Sequence, residues 1–287
     1  MRWKGERQSD NVEDRRGMSI SRGAKIGGIG GLGVVLLVVV GLFLGIDPGV
    51  MLQVGETLQS PPASVEQSAG SGRDDDDRRF VAVVLAETED VWNDVFTRGG
   101  RRYQEPKLVL FSGSVDSACG MAGSAVGPFY CPADHKVYLD LAFFDELHNR
   151  FGASGDFARA YVIAHEIGHH VQTQLGILEQ VTELQSRAGA AERNKLSVML
   201  ELQADCLAGM WAHQAQKRRD ILESGDLEEG LNAASAVGDD RIQKSTRGYA
   251  VPDGFTHGSS AQRVRWFKRG FEEGTLRACN TFEADRL

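Results

Sequence analysis

No two of the four cysteines stand in a CxxC pair, which argues against a cysteine-type structural zinc site. Basic residues are in deficit: 32 Lys and Arg face 40 Asp and Glu, a net charge of −8. Nucleic acid needs a basic face, so the balance argues against that partner. The basic stretch RVRWFKR, residues 263–269, reads as one solvated helix face. No internal repeat is present, and no small-x-small cleavage site directly follows the one long apolar run. That run is also too long for a signal-peptide core, so an uncleaved anchor is expected.

The run itself, IGGIGGLGVVLLVVVGLFLGI at residues 26–46, is twenty-one residues without a charge. As a helix it spans about 31 Å, close to the hydrocarbon thickness of a bilayer. Seven Lys or Arg precede it within residues 1–25, and DDDD follows at Asp74–Asp77. The positive-inside rule therefore predicts a single-pass membrane protein, with a cytoplasmic N-terminus and an extracytoplasmic domain. Four zones follow: a charged cytoplasmic segment (1–25), a transmembrane anchor (26–46), a Pro-, Gly- and Ser-containing linker (47–79) and a globular domain (80–287).

Within the domain, apolar spacing predicts a helix from Val81 to Val95, stopping at Gly99-Gly100. PKLVLFSG and KVYLDL read as short strands, and the second is expected at the sheet edge, where an extended peptide could pair. A long helix is expected over GDFARAYVIAHEIGHHVQTQLG, with Asp156 as N-cap and Gly176 as stop. Further helices are expected over 190–220, 226–237 and 259–273. The fold class is α+β, mainly helical with a small sheet. Cys119, Cys131, Cys206 and Cys279 suit an oxidising compartment and allow three pairings, of which Cys119 with Cys131 is the local one. Four free buried thiols would be the reading for a cytoplasmic domain.

The chemistry concentrates in YVIAHEIGHHVQ, residues 161–172. His165 and His169 are four apart, so on a helix both imidazoles can grip one ion while Glu166 serves as general base. The metzincin pattern would need a Gly at 172 and a His at 175, where Gln172 and Leu175 stand. ELQADC supplies another third ligand: Glu201 completes a His2Glu set, and Asp205, one turn on, can hold the other nitrogen of His165. Apolar neighbours of this pair make unpartnered carboxylates costly there. His170 falls off the metal face, and His135, His148 and His213 read as ordinary histidines. His257 precedes Ser259 and Gln262 in a capping-box arrangement, and could donate to an oxyanion.

Taken together, MRWKGERQSDNVEDRR, GPFYCPAD with VYLDL, VIAHEIGHHVQ, ELQADC, GDLEEGLNAA with VGDDRIQ, and FTHGSSAQR with WFKRGF resemble the bacterial membrane-anchored neutral zinc metallopeptidases, a gluzincin-like group. The resemblance implies one zinc per chain on His165, His169 and Glu201, with Asp205 behind His165. It also implies a peptide or protein substrate, hydrolysed by a zinc-activated water with Glu166 as base. The alternative is a zinc-binding envelope scaffold or regulator with little hydrolytic activity.

Overall fold

The computed structural model describes residues 1–17 and 72–287; the predicted anchor and most of the linker lie outside these residues. Among the described residues no helix is long and apolar enough to cross a membrane. The fold is mainly helical with a small sheet. Strands β1 (Val12–Asp14), β2 (Lys107–Phe111), β5 (Phe129–Cys131) and β6 (Lys136–Asp140) form one sheet, and β3 (Ser114–Ser117) and β4 (Gly120–Gly123) a separate hairpin. The order in the sheet is β1-β2-β6-β5; β1, β2 and β6 run parallel, and β5 runs antiparallel to β6. KVYLDL is therefore an inner strand rather than an edge, and the edge on that side is β5. Its core FYC lies between Pro128 and Pro132.

Eight helices are described: α1 (Gly72–Arg98), α2 (Ala142–Asn149), α3 (Asp156–Gln174), α4 (Ile177–Arg187), α5 (Ala190–Arg219), α6 (Asp226–Ala236), α7 (Asp239–Arg247) and α8 (Ser260–Glu273). Helix α3 is buried along nearly its whole length; α5 and α6 pack beside it, and α8 packs against α5. The α5–α8 approach is so close that a Cβ at Gly270 would fall 1.9 Å from the Cys206 carbonyl oxygen. Asp156 does not cap α3. The N-cap is Gly155, and the Phe157 N–H donates to Glu229 Oε2 of α6 at 3.0 Å. Gly176 ends α3 in the left-handed conformation (φ 77°). Of the three pairings open to the cysteines, the structure makes Cys119–Cys131 and Cys206–Cys279.

The N-terminal segment is not separate from the domain. Leu108 N–H donates to Asn11 O at 2.9 Å and Arg15 N–H to Leu110 O at 2.8 Å, which adds β1 to the sheet. Trp3 packs edge-on against Phe80 of α1, and its Nε1–H donates to Asp156 Oδ2 at 2.7 Å. The folded body thus includes residues 1–16 and begins α1 before residue 80, correcting both expected boundaries. The signal was hidden because NVED is short and charged, and a three-residue strand acquires its apolar face only from its neighbours.

Glu13 of β1 sits among Arg15 (2.6 Å), Lys107 (3.1 Å) and Lys136 (3.1 Å). Burial alone would raise its pKa, but the three cations outweigh it and bring it from 4.5 to about 2. A depressed carboxylate pKa contributes stability that is complete above its ordinary value and lost as pH falls through the folded one. Glu13→Gln is therefore expected to cost about 1 kcal/mol at pH 7, given partial exposure and solvent screening. The gap to wild type in urea midpoint should close between pH 4.5 and about 2.

Candidate metal centre

Helices α3 and α5 build the site by crossing at Gly168. A Cβ there would stand 3.0 Å from the Ala204 carbonyl oxygen, so only glycine lets the backbones come this close without a shift. The crossing brings His165, His169 and Glu201 together, their ligand atoms within 4.8 Å of one another. His165 Nε2 lies 3.2 Å from Glu201 Oε2, and His169 Nε2 lies 3.4 Å from Glu201 Oε1.

The outer nitrogens decide what the inner ones can do. His165 Nδ1 is 2.9 Å from Asp205 Oδ1, which only accepts, so Nδ1 carries the proton. His169 Nδ1 is 2.8 Å from Gln172 Oε1, and Gln172 Nε2 donates to Leu200 O (2.8 Å) and Gln203 Oε1 (3.0 Å). Gln172 therefore presents its oxygen, and His169 Nδ1 is also a donor. Both Nε2 atoms are left as lone pairs aimed at a carboxylate, an acceptor set that a divalent cation satisfies. Protons can take the cation's place: burial opposes it, but Asp205 and Glu201 raise His165 to about 10, and Glu201 raises His169. Glu166 is 9% exposed, and burial raises its pKa despite the two histidines. Zinc fits this donor set.

Behind the ligands lies a network that sequence reading missed. Asp205 is fully buried, and Arg263 of α8 grips it through Nε to Oδ2 (2.8 Å) and Nη2 to Oδ1 (2.9 Å). The Tyr161 hydroxyl donates to Asp205 Oδ1 at 2.5 Å. Burial would raise the Asp205 pKa, yet Arg263 and His165 hold it below the ordinary carboxylate range. The expectation of a solvated RVRWFKR face fails here, because Arg263 is 4% exposed. Arg263 shares a helix stripe with buried Trp266, Phe267 and Gly270, the i, i+3, i+4, i+7 pattern that could have flagged it.

His257 reaches the site on the loop before α8. Ser259 and Gln262 do form a capping box there. Asp239, first residue of α7, accepts at Oδ2 from the backbone N–H of Thr256 (2.7 Å), His257 (2.7 Å) and Gly258 (3.0 Å). Its Oδ1 lies 3.3 Å from His257 Nδ1. Gly258 (φ +91°) brings the loop against Val198 and Leu202 of α5, on either side of Glu201. Burial lowers the His257 pKa, but Glu201 and Asp239 outweigh it and raise it.

His170 is buried and turned away from the metal ligands. Its Nε2 lies 2.7 Å from Gln104 O, and its Nδ1 accepts from the Tyr130 hydroxyl of β5 at 3.1 Å. Burial depresses its pKa to about 4, so it is neutral and ties the edge strand to α3 one residue beyond His169. Tyr130 also meets His135 Nδ1 at 3.1 Å, and His213 bonds Phe271 O at 2.7 Å; neither histidine is in the metal cluster.

The chain is 50% identical to the uncharacterized protein YpfJ of Escherichia coli (strain K12), over 98% of this chain and 99% of that one. It is 40% identical to the uncharacterized protein Rv2575 of Mycobacterium tuberculosis (strain H37Rv), over 86% of each. No solved structure matches. The model of the family described as "Putative neutral zinc metallopeptidase" matches residues 1–282, nearly the whole chain, and with it the site built by α3 and α5: the protein belongs to that family.

Proposed function

We propose that the protein hydrolyses peptide bonds as a zinc-dependent endopeptidase of the bacterial cell envelope. The observation that carries this reading is the pair of Nε2 lone pairs locked onto Glu201 with Glu166 beside them. A purely structural site commonly has four protein ligands and no use for that carboxylate. His165, His169 and Glu201 hold one zinc per chain. Zinc supplies Lewis acidity, polarising a carbonyl and lowering the pKa of a water. Glu166 takes the proton of the attacking water and passes it to the leaving amine. His257, its Nδ1 turned to Asp239, donates from Nε2 to the developing oxyanion. An extended substrate strand pairs with the open edge of β5, which Tyr130 and His170 fix relative to α3. Two disulfides support a domain outside the cytoplasm, and the apolar run at 26–46 supports attachment to the inner membrane.

The test uses the full chain in detergent, since residues 1–16 supply a strand of the sheet. Zinc at about one per chain with cleavage of casein or a peptide library supports the reading; full zinc without cleavage favours the scaffold alternative. Glu201→Gln is expected to lose both metal and activity. His257→Gln should keep zinc and KM while kcat falls about 10²-fold, the loss typical of one oxyanion donor. Unchanged kcat would remove His257 from the catalytic set.

A further inference from the structure

We infer that residues 1–16 and the zinc domain lie on the same side of the membrane, so that the apolar run between them attaches the protein without separating its two ends. Asp14 at the end of β1 is 3.4 Å from Arg78 of α1, so the chain leaves and returns within one ion pair. The whole length of the leading segment is committed to the domain. Arg2 N–H donates to Ile221 O (2.8 Å) and Ser9 N–H to Ala82 O (2.9 Å), and β1 pairs with β2 from Val12↔Leu108 to Asp14↔Leu110. Buried Glu89 of α1 draws its partners from here: the Ser9 hydroxyl, Asn11 Nδ2 (2.9 Å) and Arg7 (3.1 Å). Removing the segment would strand a buried carboxylate and open the sheet beside β2.

A single crossing by 26–46 would place its flanks about 30 Å apart on opposite faces of the bilayer. That separation is incompatible with a 3.4 Å contact between Asp14 and Arg78. Nor does the sequence from 47 to 71 hold a second long apolar run that could carry the chain back. Four of the seven basic residues ahead of the run, which predict a cytoplasmic N-terminus, have other work in the fold: Arg2 pairs with Asp220, Arg7 with Glu89 and Asp90, Arg15 with Glu13, and Arg16 with Asp14. Their charge is spent on the protein rather than on the inner leaflet. This inference does not depend on the catalytic reading, and a protein without peptidase activity would show the same topology.

The experiment is thiol accessibility of the full chain in spheroplasts. All four native cysteines are in disulfides, so single cysteines report without background. Gln8→Cys and Glu192→Cys place one thiol on the leading segment and one on the domain, both at exposed positions. A membrane-impermeant maleimide is expected to label both to the same extent before lysis, or both only after it. Labelling of Glu192→Cys in intact spheroplasts with Gln8→Cys reactive only after lysis would overturn the inference.

Discussion

Glu166→Gln is expected to retain about one zinc per chain and to lose cleavage by roughly 10²–10⁴-fold in kcat, the range for a positioned general base. The two ligands on either side explain the intact metal. His165 and His169 are oriented by Asp205 and Gln172, and the helix crossing is set by Gly168 against Ala204; none of these contacts involves residue 166. The amide is nearly the same size as the carboxylate but cannot take a proton. KM should change little, and the acid limb of the kcat/KM profile should vanish with the group that produces it. Loss of zinc in this variant would mean that Glu166 serves the metal site rather than the reaction.

Arg263→Met should have the largest effect on stability. It leaves Asp205 fully buried without its bidentate partner, and breaking a buried pair from one side costs about 3–5 kcal/mol. For a folded body of this size that corresponds to a fall of roughly 10 °C in Tm. Zinc affinity should fall as well, by about 10–100-fold, because Asp205 would no longer be held against His165 Nδ1. Arg263→Lys keeps the charge without the fork and should recover part of the Tm but little of the affinity. Competition with a zinc-binding dye separates the two effects. A variant that melts early yet binds zinc like wild type would reduce Arg263 to a packing role.

The parts of the site written in helical spacing were legible in the sequence. His165 and His169, and Glu201 and Asp205, each lie one turn apart, and a helix turns such pairs to one side whatever surrounds it. Gln172 lies three residues from His169 on the same helix and could have been read by that rule; it was noticed only as the residue that breaks the metzincin pattern. Asp239 could not have been read so. Its role is to gather three backbone N–H groups of a loop seventeen to nineteen residues away, and nothing local in GDDRIQ encodes that. Arg263 was obscured by its basic neighbours, since composition suggests a wet surface while periodicity places it on the buried stripe. Helices α2, α4 and α7 escaped notice because each is short and depends on packing for its stability. The leading strand was hidden for a different reason: VED is short and charged, and its pairing partner is β2, far along the chain.

The bond between Cys206 and Cys279 adds a matter of timing to the site. Cys206 follows Asp205 directly, and its partner lies 73 residues downstream. Closing a loop of that length contributes about 4 kcal/mol by chain entropy. The helix that carries Glu201 thus gains this clamp only after synthesis has passed residue 279 and the surroundings have become oxidising. A nascent or still-reduced copy lacks it, so the helix position of Glu201 is less firmly held until both sulfurs have met an oxidant.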